Sequence, residues 1–130
     1  MSTIDVNTVA TDADLANEIG GIGKLDRAMK VEADRDQKRA RALDDVLEEL
    51  QTRSPAVRAE DLADPTELRR AVVARALQLI CRAATAVPGD TWHMLRDEYA
   101  REFKRYSAAN FTLQDNLRGP GGFSIDLERR

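Results

Sequence analysis

A chain of 130 residues fits one domain that buries roughly two-thirds of its unfolded surface. Hydrophobic residues make up 42% and charged residues 33%, a mix rich in Ala, Leu, Arg, Asp and Glu that favours helices over a large sheet. The net charge of −3 argues against a general nucleic-acid binder, and the single Cys81 excludes an intramolecular disulfide and suits a reducing compartment.

Residues 1–10 are small, polar and β-branched without sustained period, which predicts a mobile arm or a short extended segment. This start has no basic region and no apolar core of signal-peptide length, so a cytoplasmic protein, or one assembled there, is expected. Thr11 or Asp12 caps a helix over roughly 12–19, with Asp14 near its positive end and Leu15 and Ile19 on one face. Gly20 and Gly21 stop it, and Ile22 is expected to insert into the core. The GGIG stretch lacks the spacing of a P-loop or a dinucleotide fingerprint, and no strand pattern precedes it.

Residues 24–51 hold helix formers without Gly or Pro. Leu25, Met29, Ala33, Ala40, Leu43, Val46, Leu47 and Leu50 form the apolar stripe, interrupted by the charged run ADRDQKRAR. A continuous helix would span about 42 Å, so a break near 31–36 is expected, with a second helix over 36–51. The charged run reads as a solvated face with helix-spaced pairs such as Asp34 with Lys38, each worth about 0.3–0.5 kcal/mol. Residues 52–63, with Ser54-Pro55, form a crossover connection.

The strongest signal lies in 64–106, two long helices joined by a tight turn. Asp64 as N-cap, Pro65 at the first position and Glu67 reaching back to the cap amide start the first. Its stripe (Leu68, Val72, Ala76, Leu79, Ala83 and Val87, widened by Val73, Leu77 and Ile80) marks the most buried helix. Cys81 reads as a small residue at the core edge. Pro88-Gly89 ends this helix and Asp90 or Thr91 caps the next, which must run antiparallel. Trp92, Leu95, Tyr99, Phe103 and Tyr106 repeat along its core seam, with His93 at the boundary.

The period fades over 107–117. Gly119, Gly121 and Gly122 then form a hinge before FSIDLERR. Phe123, Ile125 and Leu127 alternate with Ser124, Asp126 and Glu128, which is strand periodicity. A lone strand needs a partner edge, so this tail either pairs with residues 1–10 or adds to another subunit. The chain therefore reads as all-α: a small bundle of about four or five helices with two long antiparallel ones and an extended C-terminal tail. Its segments are an arm over 1–10, a helical domain over 11–117 and a tail over 118–130.

No HExxH, CxxC, GxSxG, EF-hand or P-loop motif occurs. The carboxylate pairs Asp44–Asp45 and Glu48–Glu49 lie in a charged helix beside arginines, not in an apolar cleft of the kind acid–base work needs. His93 is the only histidine and has no cysteine neighbour with which to build a metal site. No enzyme, cofactor or metal is expected.

The segments TDADLANEIGG, RARALDDVLEELQTR, DPTELRRAVVARALQLICRAA and WHMLRDEYAREFKRYSAANFTL come in an order that resembles the head–tail connector, or adaptor, proteins of long-tailed bacteriophages and gene transfer agents. The resemblance covers about residues 11–117 and lies in layout and texture, not in a rigid motif. It implies a structural virion protein, assembled in the host cytoplasm, that forms a ring of about twelve subunits. The ring docks on the portal protein, extends the DNA channel and seats the stopper or tail-completion protein. DNA would pass without sequence-specific binding, and no membrane is involved. The tail, with Gly119, Gly121, Gly122, Phe123, Ile125 and Leu127, would be the portal-binding element. The alternative is a small helical DNA-binding regulator or adaptor of a bacterial cell. That reading needs a short recognition helix with outward basic side chains, whereas the helices flanking Pro88-Gly89 are long and apolar inside.

Overall fold

The computed structural model describes residues 4–87 and 89–113, and the regular secondary structure among them is helical. A single turn, α1 (Val6–Val9), precedes α2 (Asp12–Ile19) and α3 (Ile22–Ala28). The long α4 (Glu32–Gln51) follows, then short 3₁₀ turns at Ala59–Asp61 and Pro65–Leu68. The last helices are α5 (Arg69–Ala84) and α6 (Thr91–Ser107). Among the described residues there is no strand, only one isolated antiparallel bridge between Leu62 and Leu113.

Helix α5 is the centre of the fold and packs against α2, α3, α4 and α6. Ala71, Val72, Val73, Ala74, Ala76, Leu77, Leu79, Ile80 and Cys81 are all buried, so α5 is apolar on nearly every side, as its wide stripe predicts. Leu15, Ile19, Leu25, Leu43, Val46, Leu50 and Tyr99 complete one continuous core around it. Each large aliphatic side chain buried there contributes about 1.5–3 kcal/mol. The guanidinium of Arg70 lies over the Tyr106 ring and that of Arg75 over the Phe103 ring. Early α5 thus meets late α6, so the pair is antiparallel. Ala83 and Val87 are exposed, because α5 ends at Ala84 and leaves them beyond the core.

Local signals set most boundaries. Thr11 Oγ1 accepts from the Asp14 amide while the Asp14 carboxylate accepts from the Thr11 amide, a reciprocal cap on α2. Gly20 (φ 106°) and Gly21 (φ 131°) end it in backbone that a side chain would strain. Asp90 caps α6 by accepting from the amide of His93 at 2.8 Å.

Six sequence expectations need correction. Residues 4–10 are not an extended arm: α1 forms, capped by Asp5, and Val9 and Ala10 are fully buried in the common core. Ile22 does not enter the core; it starts α3 and is 52% exposed, while Leu25 one turn later is the buried anchor. The helix break falls at 29–31, ahead of the charged run, and α4 starts at Glu32. Ala33 and Ala40 are exposed, and Ala42 is buried in their place. The charged run is not wholly solvated, since Arg35 and Arg39 are only 4% and 5% exposed. The α6 seam is also shallower than a core stripe: Tyr99 is buried, but Trp92, Leu95, Phe103 and Tyr106 are half-buried.

Candidate partner-binding site

The sequence-predicted site residues Gly119, Gly121, Gly122, Phe123, Ile125 and Leu127 lie outside the described residues, as does the expected tail over 118–130. What is described is the segment that follows α6. After α6, residues 109–113 are fixed to the 53–67 connection. The Arg53 guanidinium donates to the carbonyl of Ala109 at 2.8 Å and lies over the Phe111 ring, 5.9 Å from its centre. The Ala63 amide donates to the Thr112 carbonyl at 2.9 Å. Glu67 then takes both polar groups of Thr112, accepting from its amide at 2.8 Å and its hydroxyl at 2.9 Å. Leu113 closes the anchor by pairing with the buried Leu62.

This arrangement corrects the expected role of Glu67. Asp64 caps the turn alone, accepting from the Thr66 amide and hydroxyl. The turn it caps is 3₁₀ through Leu68, and Glu67 instead reaches a segment 45 residues away. Sequence periodicity could not find the anchor, because residues 109–113 have no period and bind through backbone groups. The only sequence hint is an acid at the third position of a Pro-initiated turn, and that points equally to a capping box.

Beside this exit runs a groove of about 410 Å³ between α2 and α6, with α5 as its floor. Val73 and Ala74 are its small apolar base and Tyr106 one wall. Arg69 and Arg70 stand at one end, with Glu18 and Glu102 among the other lining residues. Burial raises the Glu102 carboxyl above the usual range, and the nearby Glu18 and Glu98 carboxylates add to this, with Arg105 opposing. The Tyr99 hydroxyl is pushed up by its burial, and then by Glu18, Glu102 and Glu98 among its neighbours. Glu98 and Glu102 on this side of α6 stand beside Arg101 and Arg105.

Two arginines of α4 lock the N-terminal helices. Arg35 donates from Nε and Nη2 to the two oxygens of Asp12 at 2.9 Å, and from Nη1 to Asp26 at 2.9 Å and to the Met29 carbonyl at 2.7 Å. One guanidinium thus joins α2, α3 and the break before α4. The hydrogen bond that Arg35 donates to Asp12 raises the Arg35 pKa, against the opposing effect of burial. Arg39 donates to Asn7 at 2.8 Å and to the Ala10 carbonyl at 2.9 Å, and pairs with Asp36.

The remaining candidates are tied to neighbouring groups or buried. Asp45 of the first carboxylate pair accepts from Arg75 Nε at 2.8 Å. His93 is half-buried, its ring nitrogen 3.6 Å from Asp97. Cys81 is not at the core edge but fully inside, and burial pushes its thiol up to about 11. Among the described residues, no group of three or more His, Cys, Asp or Glu could hold a metal ion, and no helix is long and apolar enough to cross a membrane. Comparison with known protein families, curated proteins and solved structures finds no match to this chain.

Proposed function

We propose that the chain is a structural subunit of a head–tail connector: a ring that docks on a portal, extends the DNA channel and seats the stopper or tail. What supports the reading is the order of its helices. The capped α2, the long charged α4, the buried α5 and the aromatic-seamed α6 follow one another as in the family the sequence resembles. The chain then reaches the anchored residues 109–113 and continues into a sequence whose apolar residues alternate, Phe123, Ile125 and Leu127. A fixed exit followed by that pattern suits an element that joins a second protein by main-chain pairing and alternate side chains. The subunit would act by shape and assembly, not by turnover.

The test is co-assembly with a portal protein of a long-tailed bacteriophage or gene transfer agent. Mixed in solution, the two should form a larger particle of defined mass, seen by analytical ultracentrifugation and as a second ring by electron microscopy. Absence of any joint particle, or tight sequence-specific binding to duplex DNA at moderate salt, would favour the regulatory alternative.

A further inference from the structure

We propose that the hollow between α3 and the start of α6 takes the outer strip of α4 from a second copy of this chain. The contact follows from the charge pattern of the free subunit. Its closure into a ring rests on the connector reading.

The hollow has a volume of about 520 Å³ and is lined by Lys24 and Arg27 of α3 and by Thr91 and Trp92 of α6. Among the described residues, neither cation has an ion-pair partner. The acids beside the lining residues in the chain are committed elsewhere. Asp26 accepts from Arg35 at 2.9 Å, and Asp90 accepts from the amides of Ala86, Val87 and His93. Two free cations therefore stand beside a half-buried indole. The surface that complements them carries two acids next to a small apolar side chain.

The chain itself carries such a surface. Ala40, Asp44 and Glu48 follow one another at four-residue spacing along α4, so they share one face, and all three are exposed. Asp44 and Glu48 have no ion-pair partner among the described residues. The cations next to this strip are Lys38 and Arg41. Lys38 is half-buried on its flank, and Arg41 approaches Asp45 at 4.0 Å. Several other exposed acids suit the hollow less well because arginines stand beside them. Glu60 lies near Arg58, and Glu98 lines a hollow with Arg101 and Arg105.

The spacings agree. Lys24 and Arg27 are three positions apart on α3, and Asp44 and Glu48 are four apart on α4. Either separation puts two side chains about 5–6 Å apart on a helix surface, so both ion pairs can form at once. Ala40 lies one turn before Asp44, and its small side chain leaves room for the exposed edge of Trp92. All three α4 residues point the same way, so the charge pairs and the apolar contact use one orientation. Hollow and strip are different surfaces of the molecule. The contact is therefore heterologous, and each copy offers one of each to its neighbours.

The experiment uses the full chain alone, without a portal. At about 0.5 mM subunit, where a contact with a sub-millimolar Kd is populated, analytical ultracentrifugation should show species larger than a dimer. Salt at about 1 M, where the screening length falls to about 3 Å, should return the monomer. Two double variants separate the surfaces: Lys24→Ala with Arg27→Ala, and Asp44→Asn with Glu48→Gln. Each should unfold as the native chain does and sediment as a monomer. Mixed in equal amounts, they should form a 1:1 dimer and nothing larger, because one intact hollow then meets one intact strip. A native chain that stays monomeric would overturn the proposal, as would a mixture that stays monomeric. Variants that still associate on their own would overturn it too, by placing the contact elsewhere. So would a monomeric native chain that binds a DNA oligonucleotide and loses it with Lys24→Ala and Arg27→Ala, which would assign the hollow to nucleic acid. No portal enters this experiment, so its failure and that of the co-assembly test are distinguishable.

Discussion

Arg35 and Arg41 lie six positions apart on α4 and are chemically identical, yet the fold uses them in opposite ways. Arg35 is buried against two carboxylates and the carbonyls of the helix break, whereas Arg41 is exposed with only a 4.0 Å approach to Asp45. Removing a buried guanidinium leaves its carbonyl and carboxylate partners unsatisfied. Arg35→Met should therefore cost about 2–3 kcal/mol in urea unfolding. Arg41→Met should stay within about 0.5 kcal/mol. Equal effects would mean that the Arg35 clasp does not organise α2, α3 and α4. The sequence shows why this was hard to read. A run of alternating Asp and Arg looks solvated, and only the helical phase of position 35, on the side of Leu43, Val46 and Leu50, separates it from its neighbours. Glu102 gives a second residue-scale test. Its folded pKa is raised, so the folded state holds the proton more tightly than the unfolded chain. The resulting stabilisation is present at acid pH and lost as pH rises through the folded pKa. Glu102→Gln should raise Tm at pH 7, and the gain should shrink as pH falls toward the ordinary carboxylate range. A gain that grows in acid would contradict the sign.

At the scale of elements, the α5–α6 pair was legible because its signals are local and strong: an Asp-Pro start, a Pro-Gly stop and two apolar periods. What the period does not carry is depth. Residues at helical spacing share a face, but how far that face is covered depends on what packs over it. Tyr99 is covered; Phe103 and Trp92 are only half so. Tyr99→Ala should cost about 3–5 kcal/mol. Phe103→Ala should cost about half as much, since roughly half of its transfer term is lost. A Phe103→Ala cost equal to that of Tyr99→Ala would show the seam to be uniformly buried. The 109–113 anchor was not legible at all. Its bonds run from Glu67 and Arg53 to backbone groups far along the chain, and no residue pattern marks such a contact. Glu67→Ala should speed hydrogen exchange at the Thr112 amide while leaving α5 amides protected. Unchanged exchange at Thr112 would show that Glu67 does not hold the exit.

The whole molecule is one core with its centre on α5, reached by the N-terminal turn at one side and closed by residues 109–113 at another. The expected division at residue 10 does not hold for the core, because Val9 and Ala10 belong to it. The all-α class was legible from composition and period. The proposed role rests on the order of the helices and on the sequence that follows the anchor, so body and C-terminal segment should be separable. Deleting residues 119–130 tests this directly. Unfolding of the shortened chain should stay cooperative, with a midpoint close to that of the full chain, while joining to the portal ring is lost. Loss of cooperative unfolding, or a shortened chain that still joins the portal, would contradict it.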